Sequence, residues 1–284
     1  MGIGDFFKKR FGKQTCAFCG QEVGMLKRDK IKNDAFICSD CKRTCSRYVQ
    51  VYRYTKDELL GHMEYMKRQD KLVASMEILK PLRVPSAGRQ GFIFYDEAGM
   101  FRIYDQDKDD RYALEMIRYD QVASYEPYLE EAEPDEPGKE KVFGECGVKL
   151  TLVGGMDDLS KMPKGLRAHP YITQEITVKV NDRDKHIGEL DVNQIISHFN
   201  TIFGVNDNTK GLFSFGPTTQ QKREREAMKA MGGMFKEAIK AAKTGEVSED
   251  AAAKVADAMN KVDDAATSGL AKYSRLADEA EAKI

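Results

Sequence analysis

Four cysteines, Cys16, Cys19, Cys38 and Cys41, stand in the spacing C-x2-C-x18-C-x2-C. Thiolates are soft ligands, and four of them suit a tetrahedral zinc ion with Zn–S distances near ~2.3 Å. Two intervening residues let one tight turn aim both sulfurs of a pair at one point, and the two turns close the site from opposite sides. Gly20, directly after Cys19, permits a positive φ where that turn is sharpest. All four donors being cysteine predicts a closed structural site, since catalytic zinc keeps a position open for water.

The cysteines must be positioned by very little chain. Phe18, Val23, Leu26, Ile31, Phe36 and Ile37 are the apolar residues between and beside them. A unit over 15–45 is too short to fold on apolar burial alone. Zinc binding contributes about 10–16 kcal/mol in such peptides, so the expected cofactor, one structural Zn2+, decides whether the segment folds. A disulfide pair and a redox C-x2-C are the competing readings. Six cysteines without a secretory signal argue against the first, and neither pair sits at a strand-to-helix turn of a βαβ unit. Cys45 is expected as a small buried residue on a helix from Lys42 to Tyr54, and Cys146 as core within a strand.

Further along, a helical pattern runs to about Arg68, with Leu59, Leu60, Met63 and Met66 at helical spacing and Thr55 with Asp57 and Glu58 as a start signal. His62 within it is expected on the surface or in packing. Pro81, Pro85 and Ser86-Ala87-Gly88 mark a linker, so 46–80 forms a helical connector. From Gly91 the period changes to two. Phe92 and Phe94 face Phe101 and Ile103 across a turn at Asp96–Gly99, and short strands follow around Tyr112, Leu114, Met116 and Val122. Glu126 to Glu140 is expected as an acidic loop. Strands resume at Val142, at Val148–Val153 and at Glu175–Val180, with a return strand at His186–Leu190. Asp191 is expected to cap a helix from Val192 to Phe203 whose apolar face is Val192, Ile195, Ile196, Phe199, Ile202 and Phe203. Antiparallel strands followed by one amphipathic helix predict an α+β chain. Its central domain, 90–205, is expected to be a split β-barrel closed by its C-terminal helix. Two amphipathic helices over 217–284 are expected as a C-terminal hairpin.

Charge is unevenly spread. Residues 1–56 hold 13 Lys and Arg against 5 Asp and Glu, a local charge of +8, so with −1 overall the remainder carries −9. A basic end favours an anionic partner. The segment 1–14 includes Ile3, Phe6, Phe7 and Phe11 beside Lys8, Lys9 and Arg10, a short basic amphipathic leader of the kind that lies on an anionic membrane. No apolar run approaches the ~18–20 residues of a membrane span. Thiols kept for zinc fit a cytoplasmic protein, peripheral at the inner membrane face if the leader binds there.

The segment from Cys16 to Cys41, CAFCGQEVGMLKRDKIKNDAFICSDC, resembles a bacterial zinc-ribbon domain of unknown function. Gly24-Met25-Leu26 and Phe36-Ile37-Cys38 take the places of that domain's Gly-Leu pair and its second knuckle. The resemblance implies a following pleckstrin-homology-like domain, and IRYDQVASYE resembles the strand and turn before that domain's central loop. Some such proteins end in a short helical oligomerisation motif. GEVSED and the residues after it are similar to it, departing at Ala251, Ala252 and Ala253.

These features together suggest a non-enzymatic zinc-binding adaptor that contacts a protein partner, self-associates through 217–284 and meets an anionic membrane through 1–13. The alternative is a nucleic-acid-binding protein using Lys27, Arg28, Lys30, Lys32, Lys42 and Arg43 on phosphates. Enzymatic chemistry has no motif here: His169, His186 and His198 are scattered, and Val153–Met156 reads as a turn.

Overall fold

The computed structural model describes residues 12–132, 142–155, 165–172, 175–204 and 270–284. Most of the expected leader, the second half of the acidic loop and the expected helices between 217 and 269 lie outside them.

The N-terminal unit is two short antiparallel hairpins. β1 (Gln14–Thr15) pairs with β2 (Glu22–Val23), and β3 (Arg28–Lys30) with β4 (Phe36–Cys38). Helix α1 (Ser39–Arg43) follows, and the chain then turns through Val51–Arg53. No helix spans Lys42 to Tyr54, contrary to expectation. The run Tyr48-Val49-Gln50-Val51-Tyr52 is β-branched and aromatic, which disfavours helix. Cys45 is nevertheless fully buried, as expected.

Helix α2 (Lys56–Ser75) begins with a capping box: the Thr55 hydroxyl accepts from Glu58 N, and Glu58 accepts from Thr55 N. It runs a full two turns past Arg68. Its buried face is Leu59, His62, Met66, Gln69 and Leu72, with Leu60 exposed.

Two antiparallel sheets make the central domain. The first has the order β5 (Leu82–Val84), β6 (Gln90–Tyr95), β7 (Met100–Asp105), β8 (Ile117–Arg118). Pairing therefore starts at Leu82, inside the stretch expected as linker. Gly99, at φ +63°, closes the β6–β7 turn where the sequence placed it. Of the residues expected in strands around Tyr112–Met116, none is in one; β8 begins at Ile117.

The second sheet has the order β11 (Glu175–Asn181), β10 (Val142–Leu152), β9 (Val122–Ala132). Residues 126–132, expected as loop, are strand: Glu126, Glu130 and Glu131 pair with Lys149, Glu145 and Phe143. β9 is an edge strand, where Pro127 is tolerated and acidic side chains can face water.

Helix α3 (Lys185–Ile202) crosses the domain. Val192, Ile195, Phe199 and Ile202 are buried, at the spacing expected. Phe199 is the centre of the core, edge-on to Phe92, Phe94 and Phe101 at 5.3–5.6 Å and stacked on Tyr125 at 4.9 Å. The helix starts seven residues before the expected Val192, so His186–Leu190 is helix and not strand. Asn181 Oδ1 accepts from Arg183 N and Asp184 N, and Asp184 then caps Ile187 N at 2.9 Å. Gly204, at φ +63°, stands at the helix end as expected. A final helix, α4 (270–281), packs back onto the first sheet. No helix among the described residues is long and apolar enough to cross a membrane.

Candidate metal centre

Both knuckles are built by backbone hydrogen bonds. Cys16 N donates to Gln21 O and Gly20 N to Cys16 O, and Gly20 holds φ +75°. Ala17 N donates to Phe36 O, which fixes the first hairpin against the second. Cys38 ends β4 and caps α1, its sulfur accepting from Cys41 N at 3.3 Å; Cys38 N in turn donates to the Cys16 sulfur at 3.3 Å.

All four Sγ atoms lie within 4.8 Å of one another. Cys16 and Cys41 are 3.8 Å apart, Cys19 and Cys38 3.7 Å. A regular tetrahedron of sulfurs around a metal at ~2.3 Å has edges of ~3.8 Å. The donor set and its spacing therefore fit a four-coordinate metal ion, and the backbone N–H groups on sulfur are the contacts that favour thiolates. The unit is zinc-ribbon-like.

The thiols also show why a cation belongs there. Burial pushes Cys16 up, but N–H groups of Cys19, Phe18 and Cys38 outweigh it and hold the thiol down at about 6. Burial, aided by the neighbouring sulfurs, pushes Cys41 up, and burial raises Cys38 too. Beside a Cys16 thiolate, Cys38 and Cys41 resist losing their protons unless a positive charge lies between the sulfurs. Cys45 and Cys146, by contrast, are both raised to about 11 by burial and belong to the core.

Of the six basic residues expected on phosphates, four are already engaged. Lys30 pairs with Asp34, Lys42 with Asp29 at 3.0 Å and Arg43 with Asp40 at 3.6 Å. Arg28 donates to Gly12 O and stacks on the Phe36 ring. Lys27 and Lys32 are exposed. Beside Lys27 the segment between the two hairpins carries exposed Leu26 and Met25, so Leu26 is not the core residue its type suggested.

The structure assembles a second, fully enclosed cluster that the sequence did not disclose. Glu115, buried, accepts from the Ser46 hydroxyl, and Ser46 N donates to His62 Nε2 at 2.9 Å. His169 Nδ1 accepts from Tyr171 N and Ile172 N, so its proton is on Nε2, facing Glu115 Oε1 at 3.2 Å and Tyr65 OH at 3.4 Å. Burial opposes the Glu115 charge, but His169 and Ser46 outweigh it and hold the carboxyl below its usual range. Burial drives His62 down to about 4, keeping it neutral. The cavity beside Ser46 and Glu115 measures about 10 Å3, room for one water at most. His186 is exposed, and His198 instead meets Asp96 at 3.1 Å over the Phe94 ring. The only advance signal was His62 lying on the buried side of α2, in phase with Leu59 and Met66.

Residues 15–62 match a domain of unknown function, DUF4428. The match covers 48 of 284 residues, the ribbon and the start of α2, and it ends at the histidine that accepts from Ser46 N. No curated protein and no solved structure matches the chain.

Proposed function

We propose that this protein is a non-enzymatic adaptor whose N-terminal ribbon is held by one structural Zn2+ on Cys16, Cys19, Cys38 and Cys41 and is carried by a pleckstrin-homology-like domain. The observation that carries the reading is the four-sulfur cluster within 4.8 Å, with two separations of 3.7 and 3.8 Å that match a tetrahedral edge and no other donor type. Such a site has no position for water or substrate, so the metal's work is to hold a shape. In support of the pleckstrin-homology-like assignment stand a four-stranded and a three-stranded antiparallel sheet followed by one helix that fills their shared core. The burial of His62, Glu115 and His169, with a cavity of only about 10 Å3 beside Glu115, supports a structural and not a catalytic use.

The binding face we assign to the ribbon is the exposed segment Met25, Leu26 and Lys27 between its two hairpins, where apolar and basic groups meet. A protein or anionic membrane surface in the cytoplasm suits that mixture. The nucleic-acid reading is weaker, because Lys30, Lys42 and Arg43 already have acidic partners. The test is to compare purified native protein with Leu26→Glu/Lys27→Glu. The variant keeps its metal, and partner protein or anionic vesicles bound by the native chain are lost. Nucleic acid that co-purifies and leaves steeply with rising salt would instead support the second reading.

A further inference from the structure

Helix α4 occupies a groove formed by the end of α2, the β6–β7 turn and the residues that lead into β9. Ala277 is fully buried there with Leu72, Met76, Ala98, Met100 and Met116. The contact is closest at Gly99, where a Cβ would stand 2.0 Å from the Tyr273 carbonyl oxygen. The Tyr273 ring meets Tyr119 edge-on at 5.3 Å.

The acidic end of the helix is read by two arginines. Arg118 is buried and clamped by Asp120 through two bonds of 2.9 and 2.8 Å. Its remaining donors reach Asp278 at 2.9 Å, Glu281 at 2.8 Å and the Ser274 carbonyl at 3.2 Å. Arg167 adds a contact to Asp278 at 3.0 Å and lies 3.5 Å from Asp120. The groove therefore selects a sequence. It needs an aromatic residue, a small residue one turn later against Gly99, and acids directly after. That is the pattern Tyr273, Ala277, Asp278, Glu281.

Sixty-five residues, 205–269, separate Gly204 from Leu270. At up to ~3.3–3.6 Å per residue, chain of that length reaches the same groove on a neighbouring copy. We propose that α4 is an exchangeable clasp, and that the groove at Gly99, Arg118, Tyr119 and Arg167 docks the C-terminal helix of a second copy by these same contacts. This gives the self-association expected of 217–284 a defined surface and rests on that expectation, but not on the ribbon or its metal.

Asp278 and Glu281 side chains are 48% and 43% exposed, so full-length Asp278→Arg/Glu281→Arg vacates the groove without touching the core. A labelled peptide of residues 267–284 is the probe. It binds this variant at least tenfold more tightly than the native chain, whose own helix competes, and the peptide with the same two arginines does not bind. A tagged Asp278→Arg/Glu281→Arg chain then retains, one to one, an untagged Arg167→Glu chain, whose own groove repels its intact helix. Absence of peptide binding overturns the docking surface. Peptide binding without retention of the second chain overturns exchange between copies. A native dimer that persists unchanged in Asp278→Arg/Glu281→Arg also overturns it, while leaving self-association through 217–269 standing.

Discussion

At the scale of single residues, the cysteines and histidines divide by how their partners are reached. Cys16, Cys19, Cys38 and Cys41 were legible because a metal site made of two knuckles is written in local spacing. His169 meets Glu115 directly and His62 joins them only through Ser46, so the cluster spans more than a hundred residues from Ser46 to His169 and no local pattern encodes it. Their burial has a pH consequence. His62, unfolded, takes up a proton near pH 6.5, but folded only near 4, so the unfolded state binds more protons between those values. Stability therefore falls as pH drops from 6.5 toward 4, by up to about 3 kcal/mol. His62→Gln keeps an acceptor for Ser46 N but does not titrate. Urea midpoints at pH 7 and pH 4.5 should converge in that variant, and an unchanged gap would assign the acid sensitivity elsewhere. Cys16→Ser/Cys38→Ser should release the metal and open 15–45 to protease while the sheet domain stays resistant. Retained metal in that variant would remove the cysteines from the site.

At the scale of elements, the sequence is most readable where one face is mostly apolar. The buried face of α3 is legible at Val192, Ile195, Phe199 and Ile202 because these apolar residues keep helical spacing, although Asn200, accepting from Tyr125 OH, is buried with them. The first two turns of α3 differ from the expected return strand because Ile187 and Leu190, three residues apart as a helix places them, are half exposed and leave no apolar face to mark the helix start. The extent of α2 was shortened because His62 and Gln69 stand on its buried side. Gly188 shows what the start of α3 requires: a Cβ there would lie 2.4 Å from Cys146 Sγ and 2.9 Å from Asn181 Cβ. Gly188→Ala should cost about 1–3 kcal/mol by forcing α3 off β10. Part of that loss should return in the Cys146→Ala background, a coupling of about 0.5–3 kcal/mol for residues in contact. Additive losses in thermal or urea denaturation would show that the two do not press on each other.

At the scale of the whole molecule, the ribbon is not a loose bead. Ala113 N donates to Arg43 O, and Arg47 joins Asp109 and the Ile103 carbonyl, each at 2.9–3.1 Å. Tyr54 OH donates to Tyr171 O at 2.7 Å. The segment from Arg43 to Tyr54 thus fastens the metal-bearing unit to both the first sheet and the 165–172 segment. Neither this docking nor the return of α4 onto Gly99 and Arg118 was visible in the sequence, since each joins residues far apart in the chain. The docking predicts how the molecule responds to metal removal. Chelation should unfold 15–45 and lower the stability of the sheet domain only modestly, so the metal-free protein keeps one transition, that of the sheets, at a slightly lower midpoint. Loss of the sheet-domain transition on chelation would mean that the ribbon and the sheets do not unfold independently.

The central claim is that four cysteines hold one structural zinc ion, and metal analysis with thiol titration of the purified protein tests it most directly. The account predicts one zinc per chain, no rapidly reacting thiol in the native protein, and six thiols after chelation and denaturation. Protein without metal, whose Cys16 reacts at once or whose denatured chain yields four thiols instead of six, would contradict it.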